Sequence, residues 1–194
     1  MSYTLQTSSA FTANNLDFEG EIYVDVETLR LSHEVPGGWK NIQNFGVAVV
    51  VTWDSLGQYR AWYEEDTPEL LDELRKFNRV VTFNGERFDL TVLSAYGDVN
   101  HLRAHSFDVL VKIVEKLGVR VKLDSVVHET LGLGKSGDGL DAVRWWRQGL
   151  KDKVTEYCRR DVELLLRLVA HAREKGFIVI DRRKIEVDWS PLAR

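Results

Sequence analysis

The segment Ile22-Tyr23-Val24-Asp25-Val26-Glu27-Thr28 combines the apolar pattern of a buried strand with two carboxylates near its end. Aromatic and β-branched residues favour extended backbone, so we predict a strand over residues 21–28. Successive side chains on a strand point to opposite faces, so Asp25 and Glu27 project together. Neighbouring carboxylates raise each other's pKa unless a cation intervenes, and hard oxygen ligands suit Mg²⁺ or Mn²⁺. A solvated pair of acids at a strand end is the alternative for this segment alone.

The segments that follow this strand alternate in the manner of an α/β protein. Strands are predicted at residues 45–53, 58–63, 79–83 and 105–107, and helices at 67–77, 86–96, 108–117, 123–131, 140–148 and 151–175. The first three strands are expected to form an antiparallel meander, and the later ones alternate with helices. This order predicts an α/β fold with a central mixed β-sheet flanked by helices.

The bulk composition is typical of one globular domain. The chain has 194 residues, of which 44% are hydrophobic, which suffices for a sizeable core. Residues 1–18 are polar and are predicted to be a flexible lead-in, followed by one domain over 19–194 with a C-terminal β-hairpin at 177–189. We expect no membrane span and no signal peptide. Cys158 is the only cysteine, which excludes an internal disulfide and favours a reducing cytoplasm.

The net charge of −4 argues mildly against nucleic acid as a partner. That argument weakens if several of the acids surround divalent cations, which would reverse the local field. Basic residues also cluster late in the chain, at Arg144, Arg147, Lys151, Lys153, Arg159, Arg160 and 182–184. A solvated helix face is the alternative interpretation of this cluster.

A second acidic segment reads Phe83-Asn84-Gly85-Glu86-Arg87-Phe88-Asp89. Asp89 follows an aromatic residue near the start of a predicted helix, where an acid also favours the helix dipole. Asn84 either orients a ligand or caps the helix.

The third segment lies on the long helix predicted over residues 151–175. Tyr157 and Asp161 are one helical turn apart and share a face that is otherwise apolar. A carboxylate there is costly unless it is paired or bound to metal. Tyr157 is either a core aromatic with its hydroxyl at the surface or a phenol that positions water.

In this order the three segments resemble the three motifs of the DEDD superfamily of 3′–5′ exonucleases. The motifs are Asp-x-Glu (Asp25, Glu27), Asn-x-x-x-Phe-Asp (Asn84, Phe88, Asp89) and Tyr-x-x-x-Asp (Tyr157, Asp161). The tyrosine subgroup is indicated because the histidine of the other subgroup is replaced by Glu156. The second segment is similar to that of the proofreading domain of family B DNA polymerases and their stand-alone relatives. The resemblance covers about residues 20–175 and implies a ribonuclease-H-like fold.

The resemblance also implies roles for the site residues. Asp25 would bridge two divalent cations, Mg²⁺ or Mn²⁺, with Glu27 and Asp161 completing the site of one and Asp89 supporting the other. Tyr157 would orient the attacking water. The expected reaction is hydrolysis at single-stranded 3′ ends, with DNA favoured over RNA and nucleoside 5′-monophosphates as products. An exoribonuclease and a non-catalytic nucleic-acid-binding module are the alternatives; the presence of all four acids and Tyr157 argues against the module.

Further residues are candidates for contacts with the substrate. Asn84 and Phe88 belong to the second motif, and Trp39 lies in a loop predicted at residues 32–43, where an exposed indole suits base stacking. Lys135, in the glycine-rich loop 132–139, either contacts a phosphate or belongs to a plain connector. Asp108 caps the next helix or adds a further acid. Because no second binding domain is evident, a helicase, polymerase or repair partner is also expected.

Overall fold

A six-stranded mixed sheet lies at the centre of the structure. The computed structural model describes residues 3–5, 18–134 and 139–190. The strands are β1 (Tyr3–Leu5), β2 (Glu21–Thr28), β3 (Val47–Asp54), β4 (Tyr59–Tyr63), β5 (Arg79–Thr82) and β6 (Ser106–Asp108). Their spatial order is β1-β4-β3-β2-β5-β6. The neighbours from β1 to β2 pair antiparallel, whereas β5 and β6 continue the sheet in parallel.

Helices cover both faces of this sheet. They are α1 (Thr67–Leu74), α2 (Asp89–Leu93), α3 (Asn100–Ala104), α4 (Val109–Leu117), α5 (Leu123–Leu131), α6 (Gly139–Arg147) and α7 (Lys151–Lys175). One apolar core joins the sheet to α4, α5, α6 and α7, and a second joins its other face to α1, α2 and α3. The predicted α/β fold, a mixed sheet flanked by helices, is therefore confirmed.

The strand β2 alternates between the two cores, as its sequence predicts. Tyr23 packs in the core that contains α7, whereas Val24 and Val26 pack in the other. Asp25 and Glu27 therefore face the α7 side. The neighbouring strand β3 is buried at every position, because helices cover it on both faces.

Several predicted elements differ in extent from the structure, among them the helix predicted over residues 67–77, which ends at Leu74. The helix expected over residues 86–96 is limited to α2, Asp89–Leu93. Asn84 adopts a left-handed φ of +71°, and residues 85–88, just before α2, form turns. The loop predicted at 32–43 contains three short 3₁₀ helices, Ser32–Glu34, Gly38–Lys40 and Ile42–Asn44. Within the predicted lead-in, residues 3–5 form β1, and residues 6–17 lie outside the described residues.

The C-terminal hairpin consists of β7 (Phe177–Ile180) and β8 (Arg183–Glu186). It is fixed to α5, because the Val179 N–H donates to the Thr130 hydroxyl at 2.9 Å and the Arg182 N–H donates to the Glu129 carboxylate at 2.7 Å. None of the helices in the described residues is long and apolar enough to cross a membrane.

A buried ionic cluster closes the end of the sheet where β2 begins. The Glu21 carboxylate is fully buried and accepts hydrogen bonds from Arg79 at 2.9 Å and Arg173 at 2.8 Å. The same guanidinium groups donate to the carbonyls of Ser190 and Trp189. A buried charge is tolerated when it is paired and hydrogen-bonded, so this cluster ties the C-terminal segment to the domain.

Candidate active site

Three carboxylates from two elements meet on the α7 side of the sheet. One oxygen each from Asp25, Glu27 and Asp161 lies within 4.8 Å of the others. Glu27 is 8% exposed and Asp161 5%, while Asp25 is half-buried. Clustered, buried carboxylates repel each other and lose hydration, and a divalent cation relieves both costs. Their all-oxygen donor set fits Mg²⁺ or Mn²⁺.

The helix α7 brings Asp161 to this position. Tyr157, Cys158, Asp161 and Leu165 recur at the spacing of one helical face and are all buried against the sheet. Because α7 packs on β2, this face lies opposite Asp25 and Glu27. The sequence-based prediction that Tyr157 and Asp161 share one face of this helix is confirmed.

Cys158 adds a contact that the sequence motifs did not indicate. Its thiol donates to the backbone carbonyl and to the Oδ2 atom of Asp25, each at 3.3 Å. Burial, followed by the negative charge of Asp25, raises the pKa of Cys158 well above its ordinary value. The thiol therefore stays protonated and acts as a fixed donor to Asp25. Its position three residues before Asp161, on the same helical face, is the signal that would have identified it.

Asp89 lies at the start of α2, buried beside Asp25. Burial is the main cause that raises its pKa well above the ordinary value, and the charge of Asp25 is the second. Hydrogen bonds from the backbone of Asp89 itself and of Val26 oppose the shift. Asp89 is not one of the three residues whose oxygens cluster within 4.8 Å, but the charge of Asp25 acts on its carboxyl, which places Asp89 at the border of the same cluster.

The turn that carries Asp89 is anchored by Asp108. The N–H groups of Asn84 and Glu86 donate to the two oxygens of the Asp108 carboxylate, at 2.7 and 3.0 Å. The same carboxylate caps α4 by accepting from the Leu110 N–H at 2.9 Å. Asp108 is thus the helix cap foreseen for it and also a support for the turn.

Gly85 follows Asn84 in this turn, in a place that admits no side chain. A Cβ atom there would lie 2.4 Å from the Thr82 side chain. The glycine therefore lets the turn close against β5, a role that the sequence motif alone did not reveal.

The side chain of Asn84 does not cap α2, whose N-cap residue is Phe88. Its Oδ1 atom instead accepts a hydrogen bond from the guanidinium of Arg120, in the loop between α4 and α5. Since the Asn84 amide is oriented by this contact, capping as its alternative role is wrong. The contact also brings an exposed basic residue beside the turn.

Aromatic side chains form a surface next to Asp89. Phe88 packs against Trp39 and Phe45 with ring centroids 6.1 Å from each, and Trp39 lies 5.6 Å from Phe45. Trp39 is 59% exposed. The structure thus places two predicted substrate contacts, Trp39 and Phe88, side by side. A third, Lys135, lies outside the described residues.

Tyr157 is 5% exposed and contacts Trp145 of α6 edge to face, with centroids 5.8 Å apart. The adjacent Trp146 points elsewhere, towards Tyr63 and Lys151. Both tryptophans are partly buried against the core. Beside Tyr157 a groove of about 580 Å³ opens between α6 and α7.

The family model of the RNase H superfamily matches residues 22–173 of this chain. The chain belongs to the RNase H superfamily. That match covers most of β2 and α7, so Asp25, Glu27, Asp89 and Asp161 all lie within the RNase H domain.

Solved structures give a similar picture of the fold. The family B DNA polymerase from the hyperthermophilic archaeon Pyrobaculum calidifontis is similar to this chain, with a TM-score of 0.58 and 15% sequence identity. The match covers 79% of this chain and 24% of the polymerase chain, so this RNase H domain spans about a quarter of that protein. At this identity the likeness concerns the fold alone. No curated protein matched the sequence.

Proposed function

We propose that this RNase H superfamily member is a metal-dependent 3′–5′ exonuclease acting on single-stranded ends, with DNA favoured over RNA. The observation that carries the proposal is the convergence of Asp25, Glu27 and Asp161 within 4.8 Å. These residues come from two of the three motifs that resemble those of DEDD exonucleases, and the carboxyl of Asp89, from the remaining motif, is buried close enough to Asp25 for that charge to raise its pKa. The superfamily and the acidic cluster together support a nuclease; the polarity and the substrate are our proposal.

The four acids would hold two divalent cations, Mg²⁺ or Mn²⁺. Glu27 and Asp161 would hold one of them together with Asp25, and Asp89 would support the other. When bound, such ions activate water and stabilise the charge on the attacking and leaving oxygens of an in-line displacement. Cation binding would also lower the raised pKa of Asp89, since an adjacent positive charge favours the carboxylate.

The protein itself supplies the orientation of these groups. The Cys158 thiol donates to the Oδ2 atom of Asp25 and so helps to fix the orientation of that carboxylate. The buried ring of Tyr157 is held by Trp145, and we assign its hydroxyl to orienting the attacking water. Hydrolysis at the 3′ end would then release nucleoside 5′-monophosphates.

The terminal nucleotide would lie against the aromatic surface of Trp39 and Phe88. Exposed aromatic side chains stack on bases of any sequence, which suits an exonuclease without sequence preference. Asn84 lies in the same turn as Phe88, whose N–H donates to the Asn84 carbonyl, and its side chain pairs with Arg120. Lys135 as a phosphate contact, a cytoplasmic location and a helicase, polymerase or repair partner remain predictions from the sequence.

Digestion of matched oligonucleotides tests the proposal. Single-stranded DNA and RNA labelled at the 5′ end would be incubated with the protein in Mg²⁺, Mn²⁺ or EDTA. We expect a ladder shortening from the 3′ end, faster on DNA, that needs the cation and is absent in Asp161→Asn. Cleavage inside the strand or from the 5′ end would contradict the polarity, and no cleavage in either metal would contradict the activity.

A further inference from the structure

The groove between α6 and α7 has the composition of a polyanion-binding surface. Its walls are lined by Gly134, Trp145, Lys153, Glu156, Tyr157, Arg159 and Arg160. Its volume of about 580 Å³ falls in the range of sites that hold nucleotide-sized groups. Three of the seven lining residues are basic and one is acidic, in a protein whose net charge is −4.

Lys153 is the basic residue of this groove that is free to meet a ligand. Its ammonium lies 3.9 Å from the centroid of Trp145, and it forms no ion pair with any residue that the structure describes. A cation–π contact holds the ammonium at the wall while leaving its N–H donors available. Because the contact leaves the positive charge uncompensated, Lys153 suits a phosphate.

The other charges of the groove are partly neutralised. Arg159 donates two hydrogen bonds of 2.7 Å to Glu156, the one acid among the residues that line the groove. This carboxylate is therefore paired and does not compete with a phosphate for Lys153. Arg160 pairs with Glu163 at 3.1 Å, but Glu163 is shared with Arg159 and Arg167. Since the two carboxylates of Glu156 and Glu163 serve three guanidinium groups, the flank of α7, which also carries Lys153, keeps an excess of positive charge.

The groove continues into the candidate active site. Lys153, Tyr157 and Arg160 follow each other at the spacing of one helical face, about 10 Å from first to last along the axis. Tyr157 is therefore shared between the groove and the reaction centre, and Asp161 lies one turn beyond it. A strand lying along this flank of α7 would pass directly to the cluster of carboxylates.

We propose that the α6–α7 groove binds the nucleic-acid strand that leads to the reacting 3′ end, with its phosphates at Lys153 and Arg160 and a sugar or base against Trp145. The assignment rests on the proposed function, because it takes the carboxylate cluster as the reaction centre. The groove provides affinity for the body of the strand, apart from the aromatic surface of Trp39 and Phe88 at the terminal nucleotide.

Binding measured without catalysis tests this assignment. The full chain would be titrated into a fluorescein-labelled oligothymidylate of ten nucleotides in EDTA, at several salt concentrations, with fluorescence anisotropy as the readout. Each lost phosphate contact reduces the slope of log affinity against log salt by about 0.7 for a single strand. Lys153→Gln and Arg160→Gln should each show that reduction, and the double variant about twice as much.

Lys151→Gln is the matched control. Lys151 lies on the same helix and also contacts aromatic rings, those of Tyr63 and Trp146, but it does not line the groove. The control should bind with the slope of the wild type, and Lys153→Arg, which keeps the charge, should retain the affinity lost in Lys153→Gln. Melting temperatures would establish that the variants are folded.

The outcomes separate this proposal from the nuclease. If wild type and Lys153→Gln bind with the same slope, or Lys151→Gln loses as much, the groove is not the site. Failure of the wild type to bind in EDTA would also overturn the assignment. Digestion in the presence of metal is measured separately. A protein that binds through Lys153 but does not cleave would refute the proposed nuclease activity, while the proposed role of the groove in strand binding would still hold.

Discussion

The backbone N–H of Asn84 donates a hydrogen bond of 2.7 Å to the carboxylate of Asp108, which lies 24 residues further along the chain. The second oxygen of Asp108 accepts from Glu86, and the first also caps α4. One buried side chain therefore holds the turn that delivers Asp89 to the site. It acts through that turn and does not itself belong to the carboxylate cluster.

Asp108→Ala should destabilise the fold by roughly 2–4 kcal/mol, because it removes a helix cap and leaves the N–H groups of two turn residues without their acceptor. Denaturant unfolding measures this loss. Asp152→Ala, an exposed acid in the first turn of α7, is the control and should change stability by less than about 0.5 kcal/mol. Equal effects of the two substitutions would refute the anchoring role.

Cys158→Ala should weaken metal binding or turnover by about 10- to 100-fold, the usual loss when a partner of a metal ligand is removed. The reason is that Asp25 loses the thiol donor at 3.3 Å. Cys158→Ser keeps a donor and should recover part of the loss. Activity would be titrated against Mn²⁺ concentration for each variant, and an unchanged metal dependence in Cys158→Ala would show that the thiol does not orient Asp25.

The raised pKa of Asp89 predicts a pH-dependent stability of the metal-free protein. A carboxyl whose folded pKa lies above its unfolded value stabilises the fold fully below the unfolded pKa, and this contribution is lost as pH rises through the folded pKa. The wild type in EDTA should therefore lose stability between pH 5 and pH 8, and Asp89→Asn should lose less.

The free energy of unfolding in urea, measured at pH 5 and at pH 8, gives this loss of stability for each protein. Asp152→Asn, which alters an exposed acid, is the control and should lose as much stability as the wild type. Addition of Mg²⁺ should restore stability at the higher pH in the wild type. If Asp89→Asn shows the full loss of the wild type, the carboxyl is not the group responsible.

Trp39→Ala should weaken binding of a single-stranded end by about 1–3 kcal/mol, the usual value of one aromatic–base stack. Trp39 is 59% exposed beside Phe88, so its removal should leave the core intact. Leu56→Ala, which alters a 74% exposed side chain after β3, is the control for loss of an exposed apolar residue. The affinity of each variant for a single-stranded oligonucleotide would be measured in Ca²⁺. A loss in Trp39→Ala but not in Leu56→Ala shows that the indole contacts the substrate, and equal affinities would show that it does not.

Local sequence patterns were sufficient for the two elements that carry Asp25, Glu27 and Asp161. The alternation in β2 predicted the common face of Asp25 and Glu27, and the spacing in α7 predicted that of Tyr157 and Asp161. These patterns succeed because strand and helix periodicity depend only on nearby residues. The bounds of α7, Lys151–Lys175, match the prediction.

Features that depend on contacts distant in sequence were not accessible in this way. The helix predicted over 86–96 is shortened because Asp108, on the neighbouring strand β6, accepts the N–H groups that precede α2. One partner of Glu21 is Arg173, 152 residues away, and no local pattern pairs them. Cys158 and Arg120 likewise acquire their roles only when α7 and the α4–α5 loop are placed against the site.

Diffraction from crystals soaked in Mn²⁺ tests the central claim most directly, since the anomalous signal locates the ion independently of activity. The account predicts a peak within coordination distance of Asp25, Glu27 and Asp161, lost in Asp161→Asn crystals treated in the same way. A fully occupied Mn²⁺ elsewhere, with none at these three carboxylates, would contradict it.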